Sequence, residues 1–116
     1  MHRFEVVFYE EKNKYPVKEF LENLTEKEKI KIYKFITLLE EKGLNMPYKY
    51  CKKLAHSELW ELKIAHRTDT FRIFYFYYGD KIILLHAIRK KTDETPISDL
   101  ELSEKRRNII LKNKGD

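Results

Sequence analysis

Three places in this 116-residue chain set a cation or an imidazole among apolar neighbours. Arg72 lies between Phe71 and Ile73 and shares its strand face with Phe74 and Phe76. An unpaired guanidinium costs too much to bury, so it must meet a carboxylate or face a groove that holds an anion. Glu61 on a neighbouring strand is the structural partner on offer, while the surrounding cations favour the groove. His86 stands in the apolar run Ile82 to Ile88, on a face shared with Leu84 and Ile88. It is either a core histidine bonded to backbone or hydroxyl, or an acid–base group titrating near neutral pH. The run then passes into Arg89-Lys90-Lys91. Alone, such a run is a solvated strand end. Beside Lys63, Arg67 and Arg72 it reads as one wall of a shared cationic groove.

These residues need a sheet to hold them, and the chain supplies one. His2 to Tyr9 has the β-branched and aromatic content of a first strand. Pro16 suits the first position of a short helix carrying Val17, Phe20, Leu21 and Leu24 on one stripe. Thr25-Glu-Lys-Glu28 is a capping-box sequence opening a longer helix, with Ile32, Phe35, Ile36 and Leu39 inward and Gly43 as its stop. Asn45 to His56 reads as a basic loop whose Tyr48 and Tyr50, among lysines, are able to stack on RNA bases. Leu59 to Ala65 is a strand with Trp60, Leu62 and Ile64 on one side and Glu61 and Lys63 on the other. His66 to Asp69 is a turn. The next strand, Thr70 to Tyr78, holds six aromatics in nine residues and is apolar on both faces, so it belongs in the centre. Gly79-Asp80 turns tightly into the strand from Lys81. Thr95 as N-cap and Pro96 open a last helix with Leu100, Leu102, Ile109, Ile110 and Leu111 as its apolar residues. The predicted order is β-α-α-β-β-β-α, a single α+β domain over residues 1–116. Its antiparallel or mixed four-stranded sheet carries a helical hairpin on one face and a C-terminal helix.

Composition narrows the function. Hydrophobic residues make up 42% of the chain, too many for disorder despite 37% charged residues. Net charge is +5, and its distribution is uneven. Residues 1–48 hold nine basic and nine acidic side chains, residues 49–91 ten against four, and residues 92–116 five against six. The excess lies in the segment that carries Arg72 and Lys90, which points to a polyanion or an acidic protein partner. Cys51 is the only cysteine, so no intrachain disulfide forms and a reducing compartment fits. No leader sequence is evident and Ile82 to Ile88 is too short to cross a bilayer, so a soluble, cytoplasmic protein without membrane contact is expected. The four histidines lack metal-ligand spacing, the acidic residues do not cluster for two-metal chemistry, and no Gly-rich loop cradles a nucleotide. Neither metal nor cofactor is expected.

Leu59-Trp60-Glu61-Leu62-Lys63, Phe71-Arg72-Ile73-Phe74-Tyr75 and Ile83-Leu84-Leu85-His86-Ala87-Ile88, followed by Lys90-Lys91-Thr92 and Thr95-Pro96, form a linked series. The series resembles the RelE/ParE superfamily of type II toxins, and most closely the phage-derived HigB-like branch. Ala87 and Ile88 depart from that branch's usual glycine and aromatic, and neither change removes a charge. The resemblance implies a toxin that cuts mRNA in the ribosome by metal-independent attack of a 2′-hydroxyl on the scissile phosphate. It places the family's phosphate-contacting arginine on Arg72 and its terminal basic pair on Lys90 and Lys91. Joined to the residue reading above, this makes Arg72, Lys90 and His86 the expected catalytic residues and Lys63, Arg67, Arg89 and Lys91 the expected RNA-binding ones. It also implies an antitoxin partner, a HigA-like helix-turn-helix protein, through which DNA is met only indirectly. Two alternatives stay open: a ParE-like gyrase inhibitor, and a basic binding module without catalysis.

Overall fold

The computed structural model of the protein describes residues 3–90 and 96–114. Five strands, β1 (Glu5–Phe8), β2 (Cys51–Lys53), β3 (Trp60–His66), β4 (Asp69–Tyr78) and β5 (Lys81–Lys90), form one mixed sheet in the order β1–β5–β4–β3–β2. Only β1 runs parallel to its neighbour, pairing Glu5 with Lys81 through Phe8 with Leu84. The helices are α1 (Pro16–Glu22), α2 (Glu26–Lys42) and α3 (Ile97–Lys114). The α+β class and the order of helices match expectation, and the aromatic strand β4 is indeed central.

The start of α2 follows from local chemistry. The Thr25 hydroxyl accepts from the Glu28 N–H at 3.2 Å, and the Glu28 carboxylate accepts from the Thr25 N–H at 2.9 Å. Two donors that the first turn would leave unpaired are satisfied reciprocally. That backbone hydrogen bond holds the Glu28 carboxyl below its usual range against the upward push of burial, helped by Arg89. A depressed pKa stabilises the fold above the ordinary glutamate range, and the contribution is lost as pH falls through the lower folded value. Thr25→Ala is expected to cost about 1 kcal/mol. Urea unfolding checks this, with a lower midpoint and an unchanged slope.

The hairpin of α1 and α2 covers one sheet face. Val17, Leu21, Ile32, Ile36 and Leu39 pack there against Leu62, Ile64, Phe71, Ile73, Leu84 and Ala87. Cys51 lies in the same layer, where burial pushes its thiol pKa up, which makes it a poor nucleophile. The opposite face holds a smaller cluster of Tyr9, Leu59, Phe76, Ile83 and Leu85, with Ile110 of α3 against it.

Three expectations need correction. The sheet has five strands rather than four, because Cys51–Lys53 pairs antiparallel with Trp60–Leu62 inside the stretch read as loop. Three residues are too few to show a period, and exposed Lys52 and Lys53 blunt this edge against further pairing. The β3–β4 turn is tighter than the four residues expected, since His66 pairs with Asp69 and leaves only Arg67 and Thr68 between. Finally, Leu84 does not share a face with His86. The pairing slips between Phe74 and Tyr75, so that Phe74 meets His86 while Tyr75 meets Leu84. The extra residue, Leu85, is a bulge that turns Leu84 toward the helical hairpin and leaves His86 on the other side.

Candidate nucleic-acid interface

The register across β2 to β5 decides which charged residues meet. Lys63 stands opposite Arg72, and Arg72 opposite Ile88. One row along, Lys52, Glu61, Phe74 and His86 pair in turn, and Thr70 pairs with Lys90 one row the other way. Directly paired residues point to the same side. Lys52, Glu61, Lys63, Arg72, His86 and Lys90 therefore share the sheet face that α1 and α2 leave uncovered. Period two brings together four of the predicted site residues here: Arg72, His86, Lys63 and Lys90.

Arg72 resolves in favour of the pair. Its Nη1 donates to Glu61 Oε2 at 2.8 Å, with the two side chains 3% and 1% exposed. The guanidinium is thus not an open wall of a groove; it is a buried charge held by a carboxylate. The desolvation cost of each ion is met by its partner, which makes either one alone a liability.

His86 stacks on Phe74, centroids 6.2 Å apart and planes 20° apart. Its Nε2 lies 2.7 Å from Asp99 Oδ1 in the first turn of α3. This contact fixes the orientation of the ring. The helix N-terminus favours the carboxylate at that position. Neither backbone nor hydroxyl is the partner, contrary to the core-histidine expectation. Asp99 itself was not among the expected site residues, because nothing in the sequence ties position 99 to a strand 13 residues upstream.

The bulge gives α3 a second anchor. Arg106 donates to the Leu85 carbonyl at 2.7 Å, and its guanidinium lies 5.3 Å from the Tyr9 ring. Arg107 lies 5.4 Å from the Phe76 ring, and Ser57 donates to Glu104 at 2.9 Å. So α3 is joined to the sheet by polar and cation–π contacts as much as by its apolar residues, of which Leu111 is exposed.

The remaining predicted cations part company. Arg89 points to the helical-hairpin face, where Nη2 contacts both Glu28 oxygens at 3.1 Å and the guanidinium lies 4.9 Å from the Phe71 ring. Adjacent strand residues face opposite ways, so Arg89 cannot join Lys90 in one groove. Arg67 sits exposed at the β3–β4 turn with φ +59°, beside a cleft lined by His66 and the first turn of α2. Lys91 and Thr95 lie outside the described residues.

A further opening flanks the lysine face at the β2 edge. It has a volume of about 190 Å³ and is lined by Tyr48, Lys49, Tyr50, Lys52, Glu61 and Lys63. Among the described residues no three His, Cys, Asp or Glu side chains gather as a metal site, and no helix is long and apolar enough to cross a membrane.

The family model described as Phage derived protein Gp49-like (DUF891) matches residues 19–108, which includes the end of α1, all of α2, β2 to β5 and the first two thirds of α3. The chain belongs to this Gp49-like family. The Gp49-like proteins fall among the RelE-like toxins in general, and are often the toxin of a toxin–antitoxin pair. An antitoxin is accordingly the partner that a Gp49-like chain suggests. No curated protein matches the sequence.

Proposed function

We propose that this Gp49-like chain is a toxin of the HigB-like kind, an endonuclease that cuts mRNA on translating ribosomes without a metal ion. The observation that supports this best is the register that sets Lys63, Arg72, Lys90 and His86 on the sheet face opposite the helical hairpin. Metal-free cleavage moves the 2′-hydroxyl proton to a base as the 2′-oxygen attacks phosphorus. The P–O5′ bond then breaks, and the departing oxygen takes up a proton.

Lys63 and Lys90 are the cations for the negative charge that gathers on the non-bridging oxygens of the crowded five-coordinate phosphorus, because fixed positive groups act where charge develops. His86, oriented by Asp99, is the side chain placed to move a proton in this reading, a help worth about 10²–10⁴-fold. Arg72 takes a different part from the one its motif implies: tied to Glu61, it underpins the lysine row and does not itself reach a phosphate. The ribosome supplies the positioning of mRNA. The partner in this reading is a HigA-like helix-turn-helix antitoxin, acidic where it meets residues 49–91.

Burial of Arg72 specifically favours the second reading, a basic binding module that keeps the lysine face and has no turnover. Induced expression in cells, followed by mapping of mRNA 5′ ends, separates them. Cuts confined to translated regions, with arrest of protein synthesis, are expected. Intact mRNA with a gyrase-dependent DNA-damage response would move the chain to the ParE-like alternative, and intact mRNA without it to the binding module.

A further inference from the structure

The opening at the β2 edge has a construction of its own. Pro47 starts a turn whose carbonyl accepts from the N–H groups of Tyr50 at 2.9 Å and Cys51 at 3.0 Å. That turn carries Tyr48 and Lys49 at its apex and is pinned to β3, where the Lys63 N–H donates to the Tyr50 carbonyl at 2.8 Å. The Tyr50 ring is braced from behind by Phe35, centroids 4.9 Å apart, with Lys49 Nζ lying 5.4 Å from its centroid. Tyr48 is different. It is 79% exposed, the most exposed aromatic side chain of the described residues, and neither core cluster includes it.

Leaving a large aromatic side chain in water, on a hydrogen-bonded turn, beside three lysines, is what a base-stacking site needs. The opening is smaller than the roughly 300–1,000 Å³ of a site for a drug-sized ligand. It suits one flat ring with its phosphate. Lys49 and Lys52 line the same opening as Tyr48 and supply its positive charge, and Lys63 is shared with the face described above.

Resting on the reading that the chain acts on RNA, we infer that this opening is a nucleotide subsite. One unpaired base of single-stranded RNA stacks on Tyr48, and Lys49 and Lys52 hold the adjoining phosphate. RNA fits the observations better than an acidic peptide, because lysines alone would serve a carboxylate and would leave the exposed ring without a task. The stack is tolerant of sequence, since every base has a π-face, so the subsite fixes where the strand lies more than which codon is read.

The test measures binding of a short fluorescent oligouridylate to the whole chain, beside the same RNA with abasic riboses and a polyglutamate competitor. Tyr48→Ala is expected to weaken oligouridylate binding by at least about five-fold, the lower bound for one stacked base. Tyr48→Phe is expected to bind like wild type, and abasic RNA to bind wild type as weakly as oligouridylate binds Tyr48→Ala. Lys49→Gln with Lys52→Gln is expected to flatten the salt dependence. Because Tyr48 is exposed, its loss leaves the fold intact. Equal binding by Tyr48→Ala and wild type, equal binding of abasic RNA, or tighter binding of polyglutamate would each overturn the subsite. Cutting of mRNA in a translation extract is scored separately. Cuts by wild type and Tyr48→Ala alike remove the subsite and leave the endonuclease; stacking without cuts does the reverse.

Discussion

Arg72→Ala will lower the stability of the fold by about 3–5 kcal/mol, the usual cost of breaking a buried ion pair from one side. The Glu61 carboxylate, 1% exposed, would lose the guanidinium it pairs with at 2.8 Å. Thermal unfolding should show a midpoint lower by roughly 10 °C or more. The double change Arg72→Met with Glu61→Leu should recover most of that loss, since apolar side chains of similar size replace such pairs at little cost. An unaltered midpoint for Arg72→Ala would mean that the pair contributes nothing to the fold. The result bears on function too: loss of toxicity in Arg72→Ala cannot be read as loss of a catalytic group until the protein is shown to be folded. The double variant is the right background for that question.

Gly43→Ala is the second large effect. Gly43 closes α2 with φ +50° and ψ −121°, a region that side chains with a Cβ rarely adopt. A Cβ built there would lie 2.3 Å from the Phe4 ring. Phe4 is not easily displaced, because its N–H donates to the Glu40 carbonyl at 3.0 Å and its ring packs on Tyr77 at 5.1 Å. Backbone strain and overpacking are each worth about 1–3 kcal/mol, so a total of roughly 2–6 kcal/mol is expected. Hydrogen exchange should place the loosening at β1 and the end of α2 first. Uniform exchange in the variant and wild type would contradict the close approach.

What the sequence reveals of this fold is mostly what local chemistry dictates. The Thr25–Glu28 box, Pro16, Gly43 and the Gly79-Asp80 turn each act within a few residues, and the hydrophobic periods of β3 and β4 are long enough to read. Cys51–Lys53 is not legible because a three-residue strand exists only through its partner. The bulge at Leu85 is not legible either, and it matters more, since one extra residue exchanges the faces of Leu84 and His86. Arg89 shows the complement: strict alternation alone sends it away from Lys90, yet a run of cations invites reading the three as one patch. The site was half visible. Lys63, Arg72, His86 and Lys90 do share a face, whereas the Asp99 contact and the choice of Glu61 over an open groove depend on tertiary packing. The exposed Tyr48 was visible as a tyrosine among lysines, and the structure adds the hydrogen-bonded turn that presents it.

The most direct test uses a purified translation system programmed with one defined mRNA. Wild-type protein, released from its antitoxin, is added with ribosomes translating, with ribosomes stalled before initiation, and without ribosomes. Cleavage of the mRNA only where ribosomes translate, undiminished by a metal chelator present at a level that leaves ribosomes intact, and lost in Lys63→Ala with Lys90→Ala while the fold persists, is the expected result. Equal cutting of naked RNA, or full-length mRNA under all three conditions, would contradict a ribosome-dependent endonuclease working from the lysine face of this sheet.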